Sequence, residues 1–560
     1  MTIARWLAAA TLMVAMPVLA ETKAPQSKPP RLVVAISVDQ FSSDLFSEWR
    51  GKFSGGMKRM TQGVVFSGGY QSHAATETCP GHSTILSGVH PGRAGIAAND
   101  WFGMRGDKFD EIYCVEDEDV AGSTHDNYVV SLKHLSEEWQ TLGDRMKSAF
   151  GNRTRVFAVS GKDRGATLMA GRRADQTWWY DWRAKGFTTY DKADRANVES
   201  VIPALKTVNA RIAQWIAKPT PVPALPPQCA ASVDPVNVGK SVIGDGAEKA
   251  PRTDKWQNTA KDYRASRAID VATLDLAESM VQANRLGRGA GTDVLAISLS
   301  GTDYIGHTYG TEGSEMCGQM VSLDTRLGKF FAALDRQKID YVVALTADHG
   351  GFDAPERHDR HAYPAAERAT TSLVAPALSA MLGRQFGWQG TLVENRAIGG
   401  DYWFTPAVPG NRRIEAAAWL KAAVEQNFKG QYAGVFTKAE IAEMPVPTGD
   451  PSLWTIAQRV RASFVPDRSG DIYIALPHAV MPIPAGIVGY VATHGSVWDY
   501  DRRVPILFWR KGMTPFEQPF AVETTDILPT LASLVGLSVD PATIDGRCLD
   551  LEAGAASSCK

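Results

Sequence analysis

At 560 residues the chain could hold about three average domains, although large α/β enzymes often fill this length as one body with insertions. Its 44% hydrophobic and 21% charged content is ordinary for a globular protein. A formal net charge of −2 argues against broad attraction to nucleic acid or to an anionic membrane, so an anionic substrate would need local basic side chains or metal ions.

Residues 1–20 read as a secretory signal. Arg5 gives the positive start, Trp6–Met16 the apolar core, and Val18-Leu19-Ala20 a small-residue cleavage site before Glu21. The apolar run is short for a spanning helix, and an uncleaved anchor is the competing reading. Residues 21–30, polar and Pro-rich, read as a short disordered lead-in. Six cysteines in an exported chain point to disulfides. Cys548 and Cys559 lie close in sequence and are expected to tie the C-terminus. Cys79–Cys114 and Cys229–Cys317 are the pairings expected for the rest, which sequence alone does not prove. The C-x-x-C spacing is absent, which argues against a cysteine zinc site.

Arg31–Val38 is a continuous apolar, β-branched run, the pattern of a strand covered on both faces, and it ends in Asp39. Phe41–Met60 reads as helical, and Gly63–Tyr70 returns towards Thr76–Ser87. There Thr78 stands two residues before Pro80, at the expected N-terminus of a helix, where free N–H groups favour an anion. A hydroxyl so placed is a candidate nucleophile for phosphorus or sulfur esters; an ordinary Thr N-cap is the plainer reading. Asn99 follows near a turn, and Trp101 and Phe102 serve core or substrate wall.

Thr154–Ser160 is another short buried-strand pattern, leading to Lys162 and Arg164. Two cations just past a strand end can clamp an anion, although surface charge is the alternative. From about 170 to 260 the pattern weakens into an expected insertion with long loops, including Trp178-Trp179. Arg264–Asn284 reads as an amphipathic helix. Thr292–Ser300 is again apolar and is followed by Asp303 and His307, four apart and on one face if helical. Asp340–Ala347 repeats the pattern and stops at Asp348-His349-Gly350-Gly351. His358 and His361, in a charged loop, read as non-ligands. Residues 365–455 look like a second, α+β insertion, after which Arg461–Leu476 and Val504–Phe508 are expected to return to the main body. Between these last two lies His494, in a Gly-flanked turn.

Asp39, Asp303 and Asp348 thus follow strand-like runs, and His307, His349 and His494 stand in matching loops. Mixed imidazole and carboxylate ligands suit Zn²⁺, with Mn²⁺, Co²⁺ or Fe as alternatives. The order Asp39, Thr78-Cys-Pro-Gly-His, Asn99, Asp303-x-x-x-His307, Asp348-His349-Gly and His494-Gly resembles the alkaline phosphatase superfamily, most of all the secreted threonine-nucleophile alkaline phosphatases of sphingomonads. The resemblance runs from about Arg31 to the C-terminus. It implies an α/β three-layer sandwich, a central mostly parallel sheet flanked by helices, forming one catalytic domain over 31–560 with insertions at about 170–260 and 365–455.

It also implies two zinc ions, one on Asp303, His307 and His494, the other on Asp39, Asp348, His349 and the Thr78 oxygen. Thr78 would form a phosphothreonine, and Asn99, Lys162 and Arg164 would hold the phosphoryl oxygens. The third, Mg²⁺ site of the serine-type phosphatases has no clear match, and a structural Ca²⁺ or Mg²⁺ stays open. The expected activity is hydrolysis of small phosphate monoesters by a periplasmic or secreted monomer with no nucleic-acid partner and no membrane attachment once the signal is cleaved. The alternative is a phosphodiesterase or nucleotide pyrophosphatase of the same superfamily. The Lys162/Arg164 pair favours the monoesterase, because a monoester dianion carries the extra charge that two cations would bind. A non-catalytic metal-binding protein on the same fold is the reading from a different class; retention of Thr78 and every expected ligand argues against it.

Overall fold

The computed structural model describes residues 28–125, 127–190, 195–217, 224–246, 260–358, 360 and 365–559. The expected signal at 1–20 and His361 lie outside the described residues. Among these residues no helix is long and apolar enough to cross a membrane.

Ten strands form the central sheet. Numbered along the chain they are β1 (Leu32–Val38), β2 (Val64–Tyr70), β3 (Val156–Ser160), β4 (Gln176–Asp181), β5 (Gly186–Thr188), β6 (Asp293–Leu299), β7 (Tyr341–Thr346), β8 (Arg503–Arg510), β9 (Phe516–Gln518) and β10 (Val522–Glu523). Their order is β9-β2-β8-β7-β1-β6-β3-β4-β5, with β10 also on β2. The run β7-β1-β6-β3-β4 is parallel throughout. β8 is antiparallel to β7 and to β2. Its register shifts between Val504 and Ile506, where Pro505 has no N–H to give the ladder.

All residues of β1, β6 and β7 are buried because both faces are covered. Along β1 the side chains alternate: Leu32, Val34, Ile36 and Val38 enter one core with Phe41, Leu295 and Phe330. Val33 and Ala35 enter the other, with Ile85, Leu86 and Leu528. Each such aliphatic side chain contributes about 1.5–3 kcal/mol of burial. These layers are the α/β sandwich expected from the sequence.

Three local expectations need correction. Phe41–Met60 is not one helix but two short ones, Ser43–Trp49 and Gly56–Met60. The Asp324 carboxylate accepts hydrogen bonds from the N–H groups of Ser54, Gly55 and Met57 at 2.7–2.8 Å, which fixes the break between them. Trp178 and Trp179 do not sit in a loop-rich insertion; they belong to β4, which pairs with β3 and extends the main sheet. Arg461–Leu476 does not return to the main body. Ile472–Ala475 lies inside a separate four-stranded antiparallel sheet, between Gly400–Phe404 and Gly434–Thr437. It buries Ile472 and Ile474 there with Tyr402, Phe404 and Leu420, while β8 fills the place beside β7.

All six cysteines pair as expected: Cys79–Cys114, Cys229–Cys317 and Cys548–Cys559.

Candidate functional site

The parallel strands deliver their carboxyl ends to one edge of the sheet, where α/β proteins bind ligands. Along the order β7-β1-β6-β3 the residues just past those ends are Asp348-His349, Asp39, Asp303 and Lys162. Neighbouring parallel strands therefore set the candidate residues side by side, although up to 309 positions separate them in sequence (Asp39 to Asp348).

Helix α1 (Thr78–Ile85) points its N-terminus into this edge, and all its residues are buried. Glu77, with extended backbone, occupies the capping position without a side-chain cap bond. Thr78 is therefore the first helical residue, not an N-cap, and Pro80 is the third. Lys162 Nζ donates to Thr78 Oγ1 at 3.2 Å and Arg164 Nη2 donates to the same oxygen at 3.4 Å. Two cations on one hydroxyl oxygen are an arrangement for stabilising negative charge there. Asn99 Oδ1 accepts the Cys79 N–H at 2.7 Å, which leaves its NH₂ as the donor end.

Asp303 and His307 share one face of helix α2 (Gly301–Tyr309). Ligand atoms of Asp303, His307 and His494 lie within 4.8 Å of one another, as do those of Asp39, Asp303 and His349. Asp348 Oδ2 borders the second group, 3.5 Å from His349 Nε2. The imidazoles share one device. His307 Nδ1 donates to Ala492 O at 2.9 Å, His494 Nδ1 to Thr76 O at 2.8 Å, and His349 Nδ1 to Gly350 O at 2.8 Å. In that tautomer each Nε2 presents a lone pair. These lone pairs meet carboxylate oxygens: His307 and His494 each lie 3.3 Å from Asp303 Oδ1, and His349 lies 3.4 Å from Asp39 Oδ1. Acceptor facing acceptor calls for a cation between them, so the residues fit divalent metal ions.

Burial, with Asp303 and Asp348 alongside, pushes Asp39 well above the usual carboxylate range. Burial holds the His349 imidazole down at about 3, so it is neutral and able to ligate. Burial works against ionisation of Asp303, yet the Lys162 ammonium holds its carboxyl well below the ordinary value. Lys162 Nζ lies 2.6 Å from both Asp39 Oδ2 and Asp303 Oδ2, and these two carboxylates keep it charged against its own burial. Such a cluster of carboxylates is tolerable only with positive charge nearby.

Three residues of the site carried no signal in the sequence reading. Glu77 Oε2 accepts the Asn99 N–H at 2.6 Å and so fixes the loop that carries that amide. The Tyr113 hydroxyl accepts from Arg164 Nη1 at 3.0 Å and donates to Asp163 at 2.7 Å. Tyr304 lies under Lys162, whose Nζ is 4.9 Å from the ring centroid. None matches a metal-ligand or nucleophile spacing, and only its adjacency to Thr78 or Asp303 marks Glu77 or Tyr304. His82, on α1, bonds Thr78 O and Ser298 Oγ, both at 2.9 Å. His358 stands away from this edge, in a third possible ligand group with Glu312 and Asp353. Asp353 there already takes Arg357 Nη1 on both oxygens at 2.8 Å.

A family model for type I phosphodiesterase/nucleotide pyrophosphatase matches residues 33–479. Alkaline phosphatase PhoK of a Sphingomonas species is 47% identical over 571 residues, covering 99% of this chain and 98% of PhoK. Alkaline phosphatase PhoD of Zymomonas mobilis is 42% identical over 539 residues, covering 94% of this chain and 89% of PhoD. Among solved structures, wild-type alkaline phosphatase PafA aligns with a TM-score of 0.77 at 25% identity, over 93% of this chain and 98% of PafA. Close to half of the residues are identical to PhoK along essentially the whole length, and the strand-end geometry is that of the sandwich, so the chain belongs to the alkaline phosphatase superfamily, within the type I phosphodiesterase/nucleotide pyrophosphatase family.

Proposed function

We propose that this protein is an exported alkaline phosphatase that hydrolyses phosphate monoesters through a phosphothreonine at Thr78. The observation that carries the reading is the pair of cations on the Thr78 hydroxyl, Lys162 at 3.2 Å and Arg164 at 3.4 Å. A monoester dianion brings two negative charges to that spot, and two donors of fixed charge match it. Two zinc ions, one on Asp303, His307 and His494 and one on Asp39, Asp348 and His349, would supply the positive charge that lowers the Thr78 pKa and neutralises the leaving oxygen.

The chain's own residues do the rest. Helix α1 fixes Thr78 Oγ1 with its N-terminal dipole turned to the phosphoryl group. Lys162 and Arg164 bind the phosphoryl oxygens, and the Asn99 NH₂ supplies a third donor. Tyr113 orients Arg164 from behind through its hydroxyl, and burial pushes that phenol well above its usual pKa, so it stays a neutral hydrogen-bonding group. Thr78 Oγ1 attacks phosphorus in line with the leaving oxygen, and water then displaces it from the opposite side, so configuration at phosphorus is retained overall. We take the catalytic unit as one domain over 31–560, monomeric, and located in the periplasm or outside the cell.

The family model's description keeps a phosphodiesterase reading in play. The deciding experiment compares kcat/KM for p-nitrophenyl phosphate and bis-p-nitrophenyl phosphate, in the zinc-loaded wild type and in Lys162→Ala/Arg164→Ala. A monoester preference that collapses in the double variant supports the proposal. A diester preference, or no change on substitution, moves the protein to the phosphodiesterase branch.

A further inference from the structure

Asn99 leads into a two-stranded antiparallel hairpin, Asp100–Arg105 with Lys108–Tyr113, in which Asp100 faces Tyr113. One end of the hairpin therefore carries two parts of the site: the Asn99 amide at its entry and, at its exit, the Tyr113 hydroxyl that meets Arg164. Asn99 O accepts the Cys114 N–H at 2.9 Å, which closes that end of the ladder. An isolated hairpin is marginal in water, so its position has to be fixed from outside. On one side Asn99 bonds Glu77 and Cys79 at the start of α1. On the other side stands the separate four-stranded sheet. Its strand Gly400–Phe404 pairs with Val393–Asn395, and Arg396 lies in the connection between them. Arg396 Nη2 is 3.0 Å from Asp100 Oδ2, and Nη1 donates to Glu111 Oε2, so one guanidinium joins the two strands of the hairpin. The two residues after Asp100 are met from the same side: Arg468 Cζ lies 5.0 Å from the Trp101 ring centroid, and the Trp403 ring 5.6 Å from that of Phe102. Trp403 Nε1 donates to Arg468 O at 2.7 Å, which ties these two together.

We propose that Arg396 is a positioning residue for phosphoryl transfer: it touches no reacting atom, but it fixes the hairpin end from which Asn99 and Tyr113 act. The Arg396 side chain is 40% exposed, and an ion pair so wet adds little stability, so its weight lies in where it holds the chain. Without its fork, Asp100 and Glu111 keep only His125 between them, with His125 Nε2 at 3.0 and 3.3 Å from their oxygens. Like charges on neighbouring strands oppose pairing, and the strain falls on the end that carries Asn99 and Tyr113. A donor displaced there loses its aim at the phosphoryl oxygens, and Arg164 loses the acceptor that orients it. The four-stranded sheet is thereby coupled to the phosphoryl site through one side chain. The inference rests on the phosphatase reading given above, through the roles of Asn99 and Tyr113.

The test measures kcat/KM for p-nitrophenyl phosphate on zinc-loaded protein, introducing Arg396→Gln into the wild type and into Asn99→Ala/Tyr113→Phe, with the urea midpoint of each variant. The expected result is a fall of about tenfold in the wild-type background and of no more than about twofold in Asn99→Ala/Tyr113→Phe, where the groups through which Arg396 acts are already gone. A fall of less than about twofold in the wild-type background overturns the role. So does an equal fall in both backgrounds, which would make Arg396 a general support of the fold. Full activity in Asn99→Ala/Tyr113→Phe leaves the phosphatase reading standing and overturns this inference. A wild type inactive on p-nitrophenyl phosphate overturns the phosphatase reading itself, and the inference with it.

Discussion

Helix α1 approaches the strand end that carries Asp348 so closely that Gly81 has no room for a side chain. A Cβ placed there would lie 1.9 Å from the Asp348 carbonyl oxygen and 2.9 Å from its Cα. Both partners are backbone, so neither can swing aside. Reaching ordinary contact at 3.4 Å requires α1 and the Asp348 turn to part by about 1.5 Å. Helix propensity favours Ala over Gly by about 1 kcal/mol. Overpacking of this kind costs about 1–3 kcal/mol, so Gly81→Ala should fold with a net loss of at most about 2 kcal/mol. The larger effect is on position. Thr78 rides on α1 and Asp348 on the other partner, and a misplacement of about 1 Å in an active site costs on the order of 100-fold in rate. Gly81→Ala should therefore lower kcat/KM for p-nitrophenyl phosphate by about 100-fold or more, with a small shift in urea midpoint. Wild-type kcat/KM in a folded Gly81→Ala protein would refute the reasoning, because it would mean that the spacing of α1 and Asp348 does not set the chemistry.

Two further predictions concern stability. His90 Nε2 lies 2.9 Å from Glu523 and its Nδ1 3.4 Å from Asp545; burial opposes its charge, but these carboxylates raise its pKa above 6.5. A group raised on folding stabilises below its unfolded pKa and loses that contribution as pH rises through its folded pKa. The gap in urea midpoint between wild type and His90→Gln should thus be wide at pH 5.5 and narrow at pH 9; a gap that is constant with pH would count against the charged pair. The Cys79–Cys114 disulfide closes a separation of 35 residues, for which the loop-entropy relation gives about 4 kcal/mol. Cys79→Ser/Cys114→Ser should lose about 2–4 kcal/mol in chemical denaturation, and an unchanged midpoint would show that the α1 region is held without it.

Much of the candidate metal edge was legible because a strand buried on both faces has to be apolar throughout, so its end shows as an abrupt change to Asp. Asp39, Asp303 and Asp348 stand out for that reason, and parallel pairing then brings them together with no further information. What the sequence concealed is of two kinds. Glu77 and Tyr113 act through hydrogen bonds to Asn99 and Arg164, contacts that carry no spacing rule of their own. Ile472–Ala475 is an apolar run like the others, and which sheet receives it depends on the partners left open once β8 has taken the place beside β7. The break at Gly51–Gly55 in the first helical stretch depends on Asp324, a residue some 270 positions away.

The tautomers of His307, His494 and His349 are set by the carbonyl oxygens of Ala492, Thr76 and Gly350. Carbonyl groups belong to the main chain and survive every amino-acid substitution. Positions 492, 76 and 350 can drift in side chain, within what the local backbone tolerates, without releasing an imidazole. Where metal sites orient their histidines with carboxylates, a single base change can undo the arrangement. Here only a shift of the chain itself can do so, and the orientation of these candidate ligands is inherited with the fold.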